Sequence, residues 1–392
     1  VRLLCEHEQI QRVTVLSPTT LVPTFMHRFR RTARQASLPD CYQMVKGRCE
    51  VRFPRYLKAP GYFFLRWTVA QWRRIIDQTV ARFATTAPVS LIHANYAGVS
   101  SWAAICTAKR YQIPCAVTYQ GSDVHTTLAN QYKGWRLCRD SFRWADLNLP
   151  VSRSLEGILR RFTEPTGRCE VLLRGVDQTR FFPAPRLPGE PHVLFVGRIS
   201  EAKGAFALLS AWVEVKKMYP AALLTVVGQD HTNGLFLRQA RSLRIDDAIT
   251  LTGPLPSPQV AELMRRSRIF CLPSYNEGTP NCVMEALSCG LPIVATRVGG
   301  IPDIVQHENT GLLVDTGDVE GLAAALMTLL EDPDRCMKMG QRAHLFAREH
   351  LDARKTVGRL VELYSELIAA RSQRSFVNVV SKGALSGSLA FP

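Results

Sequence analysis

What the 392-residue chain lacks narrows the field first. No apolar run approaches the roughly 18–20 residues that a membrane-spanning helix needs. Charges break the opening stretch Val1–Glu8, so it does not read as a signal peptide. Eleven cysteines, an odd number, include no Cys-x-x-Cys pair and no paired Cys/His spacing. Cys106, Cys115, Cys271, Cys282 and Cys289 sit in apolar surroundings, so small buried thiols in a reducing cytoplasm are expected ahead of zinc or disulfides. No GxGxxG opens a helix after a strand and no GxxxxGK[ST] occurs, which leaves a dinucleotide dehydrogenase or a P-loop ATPase unsupported. HExxH, DFG and GxSxG are absent too. Acidic side chains are scarce in one half only. Residues 1–185 carry 27 basic and 12 acidic side chains, a balance of +15, whereas residues 186–392 carry 22 and 21, a balance of +1. That asymmetry points to halves with different partners.

What is present is a repeated alternation. Val13–Leu16, Val89–Ile92, Cys115–Tyr119 and Leu147–Val151 read as strands in the first half. Val193–Val196, Ala222–Val227, Ile249–Leu251, Ile269–Leu272 and Ile293–Thr296 repeat the scheme in the second. Helical patterns lie between them, as at Trp102–Tyr111, Ala205–Met218, Val260–Arg266 and Leu322–Glu331. Near-continuous apolar strands alternating with helices predict an α/β chain with parallel sheets covered on both faces. Two such series predict two Rossmann-like domains in tandem, joined through the proline-rich Phe181–Pro191. The expected division is 1–182, then 183–350, then a C-terminal helix over 351–371 returning toward the first domain. Residues 372–392 form an unassigned tail.

Two segments of the second half carry chemistry. In Val193-Leu-Phe-Val-Gly-Arg-Ile-Ser-Glu-Ala-Lys-Gly a strand runs into Gly197, with Arg198 next and Lys203 five residues on. Ligands of open α/β sheets bind beyond the carboxyl ends of strands, so these cations stand where a phosphate would lie, or they are two solvated charges on a loop. In Pro273-Ser-Tyr-Asn-Glu-Gly-Thr-Pro-Asn-Cys-Val-Met-Glu-Ala-Leu-Ser-Cys-Gly-Leu-Pro, Thr279 reads as an N-cap and Pro280 as the first helical residue. Gly290 and Pro292 stop the helix. Glu277 precedes this helix and Glu285 lies inside it, with free amides at Gly278 to Asn281 forming an anion site between the carboxylates. One carboxylate can accept from sugar hydroxyls and the other from a ribose. Glu285 as a helix-surface carboxylate is the alternative, but its neighbours Val283, Met284, Ala286 and Leu287 mark a largely buried helix.

Together these segments resemble family 4 of the retaining glycosyltransferases, which have the GT-B fold of two Rossmann-like domains facing across a cleft. Glu277 and Glu285 have that family's Glu-x7-Glu spacing. Leu173–Pro183, Val298–Asp303 and Asn309–Val314 match its usual continuation, and the resemblance spans about Leu91 to Tyr364. It implies that the second domain binds a nucleoside diphosphate sugar. Arg198 and Lys203 would hold the diphosphate, Glu277 the transferred sugar and Glu285 the ribose. Gly197, Gly278, Thr279, Pro280 and Asn281 would line the donor. It further implies front-face attack with retention, the leaving phosphate oxygen taking the acceptor proton, and neither metal nor other cofactor. Val298–Asp303 reads as a strand-to-helix turn in preference to a ligand contact.

In the first half, Leu91–Gly98 and Thr118–His125 both follow strands and are expected at the cleft, with His93, Gln120, Gly121 and Asp123 as acceptor-side candidates. The family commonly has His where Gln120 stands. A Gln still donates a hydrogen bond but carries no titratable proton, which weakens acid–base help and leaves transfer open. For His93, a structural hydrogen bond and an acceptor contact both stay open. Asp123 caps the following helix or touches ligand. Val1–Leu16 resembles the family's first helix running into its second strand, so the first strand and its Gly-rich loop are missing and a truncated sequence is expected.

Sugar transfer to an acceptor hydroxyl of a glycan, polysaccharide or lipid-linked molecule is therefore the expected function. A catalytically impaired sugar-nucleotide or glycan-binding protein is the alternative. The Glu-x7-Glu with its Gly-Thr-Pro-Asn turn argues against an epimerase or phosphorylase. The basic excess clusters at His27–Arg34 and at Arg52–Arg74, the latter interleaved with Phe53, Tyr56, Tyr62, Phe63, Phe64 and Trp67. An anionic membrane surface and a solvated basic face both suit it. No nucleic-acid-binding motif accompanies the charge, so nucleic acid is not an expected partner. The expected location is cytoplasmic, with the inner membrane face as the place of any peripheral association.

Overall fold

Runs of Val, Ile, Leu and Phe with no polar interruption fold as strands buried on both faces. Ile269–Leu272 and Ile293–Thr296 are buried at every residue, and Val193, Leu194 and Phe195 are equally enclosed. The computed structural model describes residues 1–20, 40–45, 47–57, 64–121, 123–125, 134–184 and 191–381. They form two compact units, one of residues 1–149, 159–170 and 357 onward, the other of residues 150–158 and 171–356.

The second unit holds a six-stranded parallel sheet. Its order is Ile249–Gly253, Leu223–Val227, His192–Val196, Ile269–Leu272, Ile293–Thr296 and Gly311–Val314. The first strand in sequence lies inside the sheet. The chain builds outward on one side of it, then crosses and builds outward on the other. The direction therefore switches between His192–Val196 and Ile269–Leu272, where doubly wound sheets bind ligands. Helix Ala205–Met218 buries Leu208, Leu209, Trp212 and Val215, and helix Val319–Glu331 buries Leu322, Leu326, Leu329 and Leu330. Asp318 and Asp332 cap Val319–Glu331 and Pro333–His350 by accepting from the Gly321 and Arg335 amides at 2.8 and 2.9 Å.

The first unit has a four-stranded sheet in the order Ile92–Asn95, Cys115–Tyr119, Leu147–Pro150 and Arg168–Cys169. A separate three-stranded sheet pairs Val13–Leu16 in parallel with Cys49–Arg52, which runs antiparallel to Cys41–Val45. Helix Leu65–Phe83 packs against helix Val99–Tyr111. The strand expected at Val89–Ile92 instead spans Ile92–Asn95. Two polar residues in it, His93 and Asn95, obscure the apolar pattern and find side-chain partners far along the chain. The last helix, Ala353–Ser381, runs beyond residue 371 into the segment left unassigned from sequence. All eleven cysteines are free thiols. Among the described residues no helix is long and apolar enough to cross a membrane. The clusters His27–Arg34, Lys58 and Tyr62–Phe63, the joint residues 185–190 and the tail 382–392 lie outside the described residues.

Candidate functional site

Three loops leave the carboxyl ends of His192–Val196, Ile269–Leu272 and Ile293–Thr296, and backbone contact locks them together. The first passes Gly197 and Arg198 into a short 3-10 turn, Glu201–Lys203, that ends at Gly204 with φ of 69°. A Cβ at Gly204 would fall 1.8 Å from the Pro273 carbonyl oxygen, so only glycine lets this loop lie on the second one. The Tyr275 amide donates to the Ala202 carbonyl at 3.0 Å across the same contact. The consequence is a buried ion pair. Lys203 Nζ donates to Glu277 Oε1 at 2.5 Å, and Ser274 Oγ donates to the same oxygen at 2.7 Å. The Glu277 side chain is 7% exposed and that of Lys203 20%.

The third loop buttresses Glu277 from behind. Gly299 has φ of 56°, and a Cβ there would lie 1.8 Å from the Glu277 carbonyl oxygen. The Gly300 amide donates to the Gly278 carbonyl at 2.7 Å, and Asp303 accepts from the Arg153 amide at 2.6 Å. Val298–Asp303 is thus a turn that shapes the neighbouring loop through its backbone.

The helix after Glu277 spans Asn281–Ser288, one residue later than its caps had indicated. Pro280 is the extended N-cap residue, and Thr279 does not cap, because its Oγ1 donates to the Val151 carbonyl at 2.6 Å. The amides of Gly278, Thr279, Asn281 and Cys282 have no hydrogen-bond partner among the described residues. A helix start with unmet donors favours an anion. Glu285 lies within this helix, half-buried, and its carboxylate makes no hydrogen bond or ion pair among the described residues. Burial pushes its carboxyl above the ordinary range, opposed by the Arg180 guanidinium. Arg198 is exposed and likewise makes no hydrogen bond or ion pair among the described residues. Arg198, Lys203, Glu277 and the amide cluster therefore converge on loops at one switch point, and Glu285 follows a turn deeper.

In the first unit the candidates divide. His93 has both ring nitrogens on protein partners, Nε2 with Thr118 Oγ1 at 2.8 Å and Nδ1 with the Tyr364 hydroxyl. Burial lowers its pKa to about 4, so the ring is neutral near pH 7. Asp123 accepts from the amides of Ala97, Gln120, Gly121 and Val124 at 2.8 to 3.1 Å, stitching together the loops that follow Ile92–Asn95 and Cys115–Tyr119. Burial raises its pKa while those amides oppose the shift. The contacts of His93 are those of a structural hydrogen bond, whereas Asp123 ties loop amides together and does not cap the helix after it. Gln120 Nε2 donates to Asn95 Oδ1 at 3.2 Å, and next to Asn95 stands Tyr96, exposed at φ of 77°. A bulky residue in the left-handed region marks backbone held in place by its surroundings.

Sequence reasoning passed over Ser274, Arg180 and the tie between Gly299 and Glu277. Ser274 stands three residues before Glu277, which was the available signal, whereas Arg180 lies 105 residues before Glu285 in a different motif and had none. The glycine contact is made by backbone across 22 residues and has no local signature.

The family described as "Glycosyltransferase Family 4" matches residues 9–180, and the family described as "Glycosyl transferases group 1" matches residues 177–346. Glycogen synthase of Mycobacterium tuberculosis is 28% identical over 69% of this chain and 67% of that protein. Sucrose-phosphate synthase from Thermosynechococcus elongatus superposes with a TM-score of 0.70 at 23% identity, covering 85% of this chain and 87% of that one. Anabaena HepE in complex with UDP-glucose does so with a TM-score of 0.65 at 18% identity, covering 80% and 86%. The fold is GT-B with two Rossmann-like domains, as expected from the sequence.

Proposed function

The chain belongs to the glycosyltransferases, its first part to family 4 and its second to group 1, and from that premise we propose that it moves a sugar from a nucleoside diphosphate sugar to an acceptor hydroxyl with retention at the anomeric carbon. The observation that carries this reading is the Lys203–Glu277 pair at the switch point of the second sheet, with exposed Arg198 and the unmet amides of Gly278, Thr279, Asn281 and Cys282 on the same loops. The complexes of HepE with UDP and with UDP-glucose support a donor of this class.

Arg198 and Lys203 neutralise the diphosphate as it leaves, one with a planar fork and one as a point charge, and the helix amides add fixed dipoles. Glu277, oriented by Ser274 and Lys203, accepts from hydroxyls of the transferred sugar. Glu285 accepts from the ribose, and its burial favours a ligand that donates to it. The acceptor attacks from the face the diphosphate leaves, and a leaving phosphate oxygen takes its proton. Gln120 and Gly121 contact the acceptor, whereas His93 and Asp123 position the loops around it.

Arg198→Ala, Lys203→Ala and Glu277→Ala should each lower turnover by about 10²-fold or more. Wild-type rates in all three would refute the assignment. The acceptor is a glycan, polysaccharide or lipid-linked molecule, and the +15 balance of residues 1–185 supports its presentation at an anionic membrane surface. Exposed Leu57, Phe64 and Trp67 support that surface as well. Flotation with anionic but not with neutral vesicles is the expected result.

A further inference from the structure

A surface cavity of about 320 Å³ opens in the first unit, where the parallel strands Val13–Leu16 and Cys49–Arg52 end. Arg52, Arg55 and Arg82 line it with Gln78 and Thr79, and Asp40 is the one acid on its wall among the described residues. Glu50, two residues before Arg52, is already neutralised, accepting from Arg12 at 3.0 Å and pairing with Arg52 at 2.5 Å. Arg52 reaches Glu50 through Nη2, and its Nε is buried with no hydrogen-bond partner.

Beyond Asp40 and Glu50, the surrounding sequence adds little negative charge. No acidic residue occurs between Glu50 and Asp77, and Asp77 is held by Arg110 at 3.1 Å and Arg73 at 3.8 Å. Leu16, Phe53, Pro54 and Ile75 make the rest of the wall apolar, which lowers the local dielectric and strengthens attraction to an anion. Three guanidinium forks match an anion with three or more oxygens and about two negative charges better than a single carboxylate.

We propose that this cavity binds a phosphate-type anion, a phosphate monoester or diphosphate, carried by the acceptor. The inference rests on the reading of the chain as a sugar transferase and specifies the chemistry of the acceptor it takes. The cavity belongs to the first unit, whereas the loops of Lys203 and Glu277 belong to the second, so the two anion sites are separate. Its volume exceeds that of one phosphate and leaves room for a second phosphate or part of a sugar ring. A lipid headgroup and a soluble phosphorylated glycan present the same anion, and the test separates them.

Inorganic pyrophosphate titrated calorimetrically into the full chain should fill two sites. R55Q/R82Q should lose one of them or bind it at least about tenfold more weakly, and Arg198→Gln should weaken the other. Arg55 and Arg82 are exposed, so their removal leaves the core intact. R55K/R82K, which keeps the charge but not the forks, should fall between wild type and R55Q/R82Q. Unchanged stoichiometry and affinity in R55Q/R82Q would overturn the proposal. In the second arm, R55Q/R82Q is floated with vesicles containing phosphatidic acid. Lost flotation together with lost pyrophosphate binding assigns the anion to a lipid headgroup, and retained flotation with lost pyrophosphate binding assigns it to a soluble acceptor. Absence of transfer from every nucleoside diphosphate sugar tried would remove the transferase reading and leave this titration standing. A failed titration would remove the cavity and leave the transferase reading standing.

Discussion

Replacing Lys203 by Met removes the cation from a carboxylate that is 7% exposed and keeps most of the side-chain volume. At an effective dielectric of about 20, opposite charges 2.5 Å apart attract by about 6–7 kcal/mol, before desolvation of both groups is subtracted. Taking away one partner of such a pair typically costs about 3–5 kcal/mol, because the remaining charge is left buried. Ser274 still donates to Glu277 Oε1 at 2.7 Å, which places Lys203→Met toward the lower end, about 3 kcal/mol. Glu277→Gln leaves Lys203 a route to solvent through its 20% exposure and should cost less. The double variant should therefore be more stable than Lys203→Met alone, with a coupling energy of about 2 kcal/mol. A chain of two units need not unfold in one step, so native-state hydrogen exchange at the amides of Val193–Phe195 reports the second unit alone. If the two single-variant effects simply add within about 0.5 kcal/mol, the carboxylate and ammonium are not coupled and the argument for a built site fails.

Gly299→Ala should destabilise the second unit by about 3 kcal/mol or more and cut turnover about 10²-fold, since its Cβ would press on the Glu277 carbonyl at 1.8 Å. Hydrogen exchange and initial rates on one preparation would check both, and wild-type turnover would contradict the close approach. Glu285→Gln should change stability by less than about 1 kcal/mol, because burial already disfavours the ionised form. It should weaken binding of nucleoside diphosphates more than of their 2′,3′-dideoxy analogues, measured by calorimetry. His93 has a folded pKa of about 4, below the ordinary value of about 6.5, so the unfolded chain binds more protons between those values. Its contribution is complete above about pH 6.5 and is lost as pH falls toward 4, by up to about 3 kcal/mol. Urea titrations of the first unit from pH 4 to 7 should show this slope in wild type and a shallower one in His93→Asn.

The parallel sheet of the second unit was legible because its strands are unbroken apolar runs, and the site was legible because its residues cluster within two loops. The strand Gly311–Val314 has no such signal, since four residues after a turn carry no periodicity. Cys41–Val45 and Cys49–Arg52 were not read as strands at all. They are short and half polar, and among the described residues their sheet buries a core of only Cys5, Cys49 and Val51 with a few partly buried neighbours. Leu65–Phe83 registered as a basic and aromatic cluster, because the residues that make it a helix face are not those that drew notice. The partners of His93 and Gln120 were illegible for a simpler reason. One lies 271 residues away and the other 25, and nothing local announces either.

The first unit takes its last helix from the far end of the chain, and this has a consequence for synthesis on the ribosome. His93 needs Tyr364, and Glu170 accepts from Arg359 Nε at 2.8 Å, so both wait for residues made nearly two hundred or more positions later. The second unit closes earlier, when Leu351 accepts the Val176 amide and the Ala353 amide returns the bond. Domains usually fold in the order they are made. Here the half that is translated first is finished last, and until the final helix emerges its basic surface must remain soluble without its full set of partners.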